Sequence, residues 1–333
     1  MSGADIDFST FLGDKVLSLA ANNGIAPLLC QHLETGQVTG LSDLTARQLT
    51  DYSRTSATQD LLLNNDTKNL LKLLADNGIP ALLLKGTPLS LLVYEKPYLR
   101  ERCDTDMYIP QDTVEDTTRL LEDNGYTVHN LGQRTHASKQ FQARIQSFQQ
   151  YGSTFDIHYR LSNRVLFQTT LPFGECWREK QAIPALGPQA WALSNRDLLI
   201  HACIHRIAHG RGTERNRLLW LWDIQLLWQT MDDTQKHHFV KKALAKKIGA
   251  LCADALIKCN ELFNSCKNGE SGDPARATAT AIQSWISALQ KNQKSEPTAS
   301  LINASKPRWA LADLMAIVGV KNKLAFINEI LRK

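Results

Sequence analysis

Three features that mark other classes of protein are missing from this 333-residue sequence. No apolar run approaches the roughly 18 residues that a membrane-spanning helix requires, which argues against a membrane protein. The seven cysteines are an odd number and form no Cys-x-x-Cys pair, which indicates reduced thiols in the cytosol. No block of like charge marks a disordered arm, and the formal net charge of +5 is mild.

The first residues of the sequence also show no pattern of a secretion signal. Met1 to Asp7 contain no basic stretch followed by an apolar one, so we expect no secretion and a cytoplasmic location. The charge balance fits an anionic substrate such as a nucleotide, although many proteins without such substrates carry as much. No RNA-recognition motif and no strongly basic stripe indicates a nucleic acid as the partner.

Helical patterns dominate both ends of the chain. Residues 8–34 and 43–77 are predicted to be helical, and Gly24 and Asn77-Gly78 are predicted to end helices there. From Asn195 onwards the pattern is helical again.

Short apolar runs between these helical stretches predict strands. They are residues 81–84, 105–109, 141–148 and 154–159. A small mixed sheet of this kind, with helices on one face, makes the chain an α+β protein. We expect three regions: an N-terminal helical region (1–65), a core with the sheet (66–165) and a C-terminal helical region (166–333).

Acidic side chains lie at or near the ends of two predicted strands. Asp104 and Asp106 are two residues apart, so they project from the same side of a strand, with Cα atoms roughly 7 Å apart. Asp156 has the same setting on another strand. Three carboxylates that face one another repel, and a cation between them relieves the repulsion. Mg²⁺ prefers carboxylates together with substrate phosphates, so the pattern indicates phosphate chemistry; three solvated carboxylates are the alternative.

Residues that suit a phosphate surround the same strands. Lys85 and Arg100 are the cations best placed to meet a triphosphate, unless they pair with the acidic cluster instead. Gly86-Thr87 follows a strand and precedes a helix, which favours close backbone approach to phosphate oxygens; an ordinary strand-to-helix turn is the alternative. His158 shares a face with the third carboxylate, where it could contact substrate, orient that carboxylate or be a core histidine.

A later helix carries histidines at every fourth position, His201, His205 and His209, which therefore lie on one face. Three histidines on a single helix make a geometrically poor zinc site, and the glutamate of a His-Glu-x-x-His motif is absent. Arg217 and Asp223 on the following helix are expected to tie the helical region together.

Four motifs occur in an order that resembles a known family. They are Leu84-Lys85-Gly86, Arg100-x-x-x-Asp104-x-Asp106, Gly125-Tyr126 and Asp156-x-His158-Tyr159. Together they resemble uncharacterised bacterial nucleotidyltransferases of the polymerase-beta-like superfamily, over about residues 66–230. That family usually has tryptophan where this sequence has Tyr159, and most of the superfamily has Gly-Gly or Gly-Ser where this sequence has Gly86-Thr87.

The resemblance implies a fold, an activity and residue roles. The fold is a minimal polymerase-beta-like sheet, and the activity is Mg²⁺- or Mn²⁺-dependent transfer of NMP from an NTP, such as ATP, to a hydroxyl of an unidentified acceptor, which could be a protein, an RNA or a small molecule. The implied catalytic and metal-binding residues are Asp104, Asp106 and Asp156. The implied nucleotide-binding residues are Lys85, Gly86, Thr87, Arg100, His158 and His205. The alternatives are a non-catalytic nucleotide-binding or toxin–antitoxin-type interaction module on the same fold, and a helical interaction protein with accidental motifs.

Overall fold

The N-terminal part of the fold is a small helical unit held by two short strands. In the computed structural model, residues 6–10, 13–129, 140–145, 152–162, 164–209, 215–263, 274–291, 296, 298–302, 304, 306–319, 322–324 and 326–327 are described. Strand β1 (Ile6–Asp7) pairs in parallel with β2 (Val38–Thr39), and helices α1 (Gly13–Asn23) and α2 (Ala26–Glu34) lie between them in the chain. Gly24 has φ +70°, a conformation that suits glycine, so it separates the two helices as the sequence predicts.

Helix α3 (Asp43–Asp76) is a single helix of 34 residues, longer than the sequence pattern alone indicates. Its first turn is capped by Ser42, whose hydroxyl accepts a hydrogen bond from the backbone N–H of Thr45 at 3.2 Å. It ends at Asn77-Gly78, as predicted, where Gly78 has φ +71°. The helix runs without interruption past residue 65, where the sequence predicts the boundary between the N-terminal helical region and the core. That boundary stays a prediction.

The sheet has seven strands in the order β5-β6-β7-β4-β3-β9-β8. The strands are β3 (Leu82–Leu84), β4 (Thr105–Tyr108), β5 (Thr127–His129), β6 (Gln140–Ile145), β7 (Ser153–His158), β8 (Gln181–Ala182) and β9 (Trp191–Ala192). The central strand β4 is antiparallel to β3 and parallel to β7, so the sheet is mixed. The predicted strands are present, except that the end of the predicted run 141–148 lies outside the described residues. Two short strands, β8 and β9, lie beyond residue 165 and extend the sheet.

Helices cover both faces of the sheet, whereas the sequence pattern predicts helices on one face. Successive residues of a strand point to opposite faces. Leu83 and Met107 pack in a core with residues of α3, while Leu84 and Tyr108 pack in a larger core with residues from the C-terminal helices. The difference arises because the long α3 lies across the face opposite to the C-terminal helices.

The remaining helices are α4 (Gly86–Leu92), α5 (Val114–Asp123), α6 (Phe173–Arg178), α7 (Asn195–His209), α8 (Leu218–Thr230), α9 (Asp233–Ala245), α10 (Gly249–Phe263), α11 (Pro274–Gln290) and α12 (Lys306–Ala316). Of these, α4 and α5 lie between strands of the sheet, and the others follow the predicted helical character of the C-terminal region. Helices α7, α8 and α10 supply much of the larger core. Within the described ranges, no helix combines the length and the apolar character needed to cross a membrane.

Candidate active site

Two acidic side chains and a histidine converge where β4 and β7 lie side by side. The two strands are parallel, and their register places Asp106 opposite Asp156. Residues in register on neighbouring strands face the same side, and His158 follows two positions later on that side. Ligand atoms of all three residues lie within 4.8 Å of one another, and no other such group of three occurs among the described residues. This group is able to hold a metal ion.

His158 contacts a different carboxylate from the one that its sequence position suggests. Its Nε2 atom lies 2.8 Å from Oδ1 of Asp106 across the strand pair, and its other ring nitrogen is buried without a hydrogen-bond partner. The histidine is 3% exposed. It therefore fixes the orientation of Asp106 from inside the protein.

Asp104 lies just before β4 and outside the group of three, but it is close enough for the charges of Asp106 and Asp156 to raise its pKa. Burial raises the pKa of Asp104 to about 6, and repulsion by Asp106 and Asp156 adds to that rise. The electrostatic repulsion expected from the sequence is therefore present. A positive charge near this carboxylate would favour its ionised form.

Lys85 supplies a positive charge to this cluster. Its ammonium group hydrogen-bonds Oδ1 of Asp106. Burial alone would lower the pKa of Lys85, but attraction by Asp106, Asp104 and Asp156 outweighs it and the pKa is raised. Of the two roles that the sequence leaves open for Lys85, pairing with the acidic cluster is the one that the structure shows.

The backbone of Lys85 is itself unusual. It has φ +52° and ψ −127°, and positive φ is uncommon for a residue other than glycine. The residue lies at the junction where β3 ends and α4 begins, which turns its side chain towards β4. Such strained residues are frequent at functional sites.

Arg100 forms a buried ion pair with Asp223 of α8. Its Nε lies 3.0 and 3.1 Å from the two carboxylate oxygens and its Nη2 lies 2.8 Å from Oδ2. The hydroxyl of Tyr94 donates to the same carboxylate at 2.8 Å. Asp223 therefore links α8 to the segment before β4, whereas the sequence predicts a link within the helical region. The ion pair also leaves Arg100 with much of its hydrogen-bonding capacity already engaged.

Arg102 and Thr87 form a second polar network that connects the site to α3. Arg102 donates from Nε to Asp60 at 2.9 Å and from Nη1 to the hydroxyl of Thr87 at 2.9 Å. The Thr87 hydroxyl in turn donates to Thr105 at 3.2 Å. Thr87 is 1% exposed, and its hydroxyl is engaged in this network.

A cavity of about 280 Å³ opens beside the carboxylates, between the sheet and helices α7 and α8. Six of the residues predicted for the site line it: Lys85, Gly86, Arg100, Asp104, Asp106 and His205. Asp156 and His158 do not line the cavity themselves; they lie on β7 beside Asp106, which does. The structure thus brings the predicted residues together, with Thr87 below the surface of the site. Their roles in binding stay predictions.

Two histidines of α7, His201 and His205, form an uncharged part of the wall of this cavity. Burial lowers the pKa of His201 to about 3, and the positive charge of Lys85 contributes. The pKa of His205 is also lowered by the same two causes. Its ring makes an edge contact with Trp220, with the ring centroids 4.9 Å apart. Neutral imidazoles can bind polar groups without adding charge beside the carboxylates.

Several residues of the site could not be found from sequence motifs. Glu101 and Trp220 line the cavity, and Asp60 and Tyr52 of α3 support it. The only signal for Glu101 is its place inside the Arg100-x-x-x-Asp104 motif. Tyr52 and Asp60 carry no local signal, because their partners are more than 40 residues away in the chain.

The fold and the site together define an α+β protein of the nucleotidyltransferase type, with acidic residues on adjacent strands. Residues 10–264 match a protein family described as uncharacterised nucleotidyltransferases. The chain belongs to this family. The match extends beyond the region 66–230 on both sides and includes α1, α2 and most of the C-terminal helices. No curated protein matches the chain.

Proposed function

We propose that this protein is a divalent-metal-dependent nucleotidyltransferase that moves NMP from an NTP to a hydroxyl group of an acceptor, and that it acts in the cytoplasm. The observation that carries the proposal is the convergence of Asp106, Asp156 and His158 beside a cavity that Lys85 and Asp104 also line. Membership of the nucleotidyltransferase family supports the same reaction class.

The donor atoms fit a hard divalent cation. Asp106 and Asp156 offer carboxylate oxygens on one face of the sheet, and Asp104 adds a third nearby. Mg²⁺ and Mn²⁺ prefer such oxygens together with phosphate oxygens. Asp104, Asp106 and Asp156 would hold the metal, which supplies charge neutralisation for the phosphates and for the attacking hydroxyl.

The chain's own residues would bind and orient the nucleotide. Lys85 neutralises Asp106 and also lines the cavity, so its ammonium group would be available to a phosphate if a metal took its place at that carboxylate. Gly86 at the start of α4 allows close approach of a phosphate, because it has no side chain to cover its backbone. His158 would keep Asp106 in one orientation during the reaction.

The proposal is tested by label transfer. The protein is incubated with each α-³²P-labelled NTP and Mg²⁺ or Mn²⁺, alone and with cell lysate, and labelled products are separated. We expect metal-dependent label on one class of acceptor. Asp106→Asn should abolish the transfer, while the matched control Asp116→Asn, on the exposed surface of α5, should leave it unchanged.

A non-catalytic nucleotide-binding module is the second candidate. The ion pair of Lys85 with Asp106 favours it, because the pair neutralises the carboxylate without any metal. Nucleotide binding without transfer in every lysate fraction would support this candidate and overturn the first.

A further inference from the structure

Three of the four lysine and arginine side chains that line the cavity already pair with a carboxylate. The pairs are Lys85–Asp106, Arg100–Asp223 and Arg102–Asp60. The fourth cation is Arg217, whose guanidinium group makes no ion pair and no hydrogen bond with any residue that the structure describes. A charge that is partly removed from water without a partner is unfavourable, so Arg217 is available to an anion from outside the protein.

The end of the Arg217 side chain is accessible. Of its three nitrogen atoms only Nε is fully buried, while the residue as a whole is half-buried. Nη1 and Nη2 can therefore donate to a ligand as the structure stands. A guanidinium group presents these donors in a planar fork that matches two oxygen atoms of a phosphate group.

The stability of α8 does not explain why a cation stands at this position. Arg217 directly precedes Leu218, the first residue of α8, and its side chain caps no backbone group of the helix. A positive charge there faces the positive end of the helix dipole, which is unfavourable. An anion bound to Arg217 would offset both the dipole and the unpaired charge.

The N-terminal helical unit leaves room for this guanidinium group. Gly24 lies between α1 and α2 with φ +70°, and a Cβ atom at that position would lie only 2.9 Å from Nη2 of Arg217. The side-chain oxygen of Asn23 accepts a hydrogen bond at 3.2 Å from the backbone N–H of Leu218, which fixes the start of α8 against the same unit. Arg217 is thus surrounded by neighbours that restrict it but do not neutralise it.

The cavity itself indicates which anion Arg217 meets. Its volume of about 280 Å³ is at the lower limit of the roughly 300–1,000 Å³ of ligand pockets. Asp104, Asp106 and Arg217 all line it, so a ligand that fills it contacts both the carboxylates and the guanidinium group. A divalent cation at the carboxylates brings phosphate oxygens into the same space. A chain of phosphates therefore suits the cavity better than a single carboxylate.

We propose that Arg217 binds the triphosphate of the nucleotide, and so takes the role for which the sequence favours Arg100, whose guanidinium group is held by Asp223. This inference rests on the proposed function. Because the contact is with phosphate, Arg217 contributes equally to the binding of every NTP. It contributes in the same way to the binding of tripolyphosphate, which has no base or sugar.

The test measures the affinity of the full chain for ATP, UTP and inorganic tripolyphosphate by calorimetry in the presence of Mg²⁺. Arg217→Met keeps the apolar stem and removes the charged donors, so it should lower all three affinities by about tenfold to a hundredfold. Arg217→Lys keeps the charge without the fork and should lose less. The matched control Arg119→Met removes an exposed guanidinium group from α5 and should change none of the three affinities.

The melting temperature separates this role from a structural one. Since no described residue loses a partner when Arg217 is replaced, Arg217→Met should leave Tm unchanged or raise it. Arg100→Met should lower Tm, because the buried carboxylate of Asp223 loses its counter-ion. A fall in Tm for Arg217→Met as large as that for Arg100→Met would overturn the proposal, because it would show that Arg217 holds the fold together.

The binding results decide the proposal independently of the transfer reaction. Unchanged affinity for ATP and UTP in Arg217→Met, or a loss confined to one of the two, overturns it, and the proposed function survives if the unaltered protein still transfers label. Binding of NTP that depends on Arg217 without any transfer of label supports the role of Arg217 and contradicts the proposed function. If the unaltered protein binds neither NTP nor tripolyphosphate, both proposals fail.

Discussion

The buried ion pair between Arg100 and Asp223 gives the sharpest prediction about stability. The side chains of these residues are 9% and 4% exposed, and three nitrogen–oxygen distances between 2.8 and 3.1 Å join them. Asp223→Ala would leave the guanidinium group of Arg100 and the hydroxyl of Tyr94 buried without their partner. Removing one member of such a pair costs about 3–5 kcal/mol, because the remaining charge is uncompensated.

This cost translates into a measurable change in melting temperature. For chains larger than about 150 residues, 1 kcal/mol corresponds to roughly 2–4 °C, so a cost of about 3–5 kcal/mol should lower the Tm of Asp223→Ala by roughly 6–20 °C. The matched control is Asp116→Ala, whose carboxylate also lies 2.8 Å from an arginine, Arg119, but at the surface. That exposed pair is worth less than about 1 kcal/mol, so Tm should hardly move.

The double variant Arg100→Met with Asp223→Leu separates stability from nucleotide binding. Replacing both charges by apolar side chains of similar volume should restore most of the lost stability. If Arg100 also contacts phosphate, nucleotide affinity should stay low in the double variant although Tm recovers.

The prediction about the single variants has a clear contrary outcome. Equal effects of Asp223→Ala and Asp116→Ala on Tm in differential scanning calorimetry would refute the view that the Arg100–Asp223 pair holds α8 against the core.

Three further predictions concern the carboxylate cluster and the start of α4. Asp106→Asn together with Asp156→Asn should remove the rise in Tm that Mg²⁺ or Mn²⁺ with nucleotide produces, and an undiminished rise would contradict the metal assignment. Lys85→Met should lower the stability of the metal-free protein, because Asp106 loses its counter-ion. The same change should tighten the binding of Mn²⁺ alone by about tenfold, measured by electron paramagnetic resonance. Unchanged Mn²⁺ affinity would show that the ammonium group and the metal do not compete. Gly86→Ala should leave Tm nearly unchanged, because the added Cβ would approach other atoms no closer than 3.4 Å. It should nevertheless weaken nucleotide binding about tenfold, because the Cβ covers the backbone. Normal nucleotide affinity in calorimetry would show that Gly86 has a structural role only.

Strand alternation predicts part of the geometry of the candidate site. A period of two places Asp104, just before β4, on the same side as Asp106, and it places His158 on the same face as Asp156. The pairing of Asp106 with Asp156 depends on strand register, which the resemblance implied and the sequence alone did not. The family match confirms the class of protein that the four motifs indicate.

Other features were beyond sequence reasoning for physical reasons. Strands β8 and β9 have two residues each, too short for any alternating pattern to appear. The partner of Arg100 lies 123 positions away, and an aspartate in an apolar helix carries no signal of its partner. The choice of Lys85 between phosphate and carboxylate depends on distances that only the folded chain fixes.

The long helix α3 has a consequence for how this fold can be divided or inherited. At about 1.5 Å per residue it extends about 50 Å, and along its length it supplies Tyr52 to Glu101 and Asp60 to Arg102. A gene fragment starting at the sheet would encode Arg102 without the carboxylate that neutralises it and Glu101 without the hydroxyl that orients it. The sheet therefore cannot be moved into another protein by recombination unless α3 moves with it. The region that matches the family begins at residue 10 and includes α3.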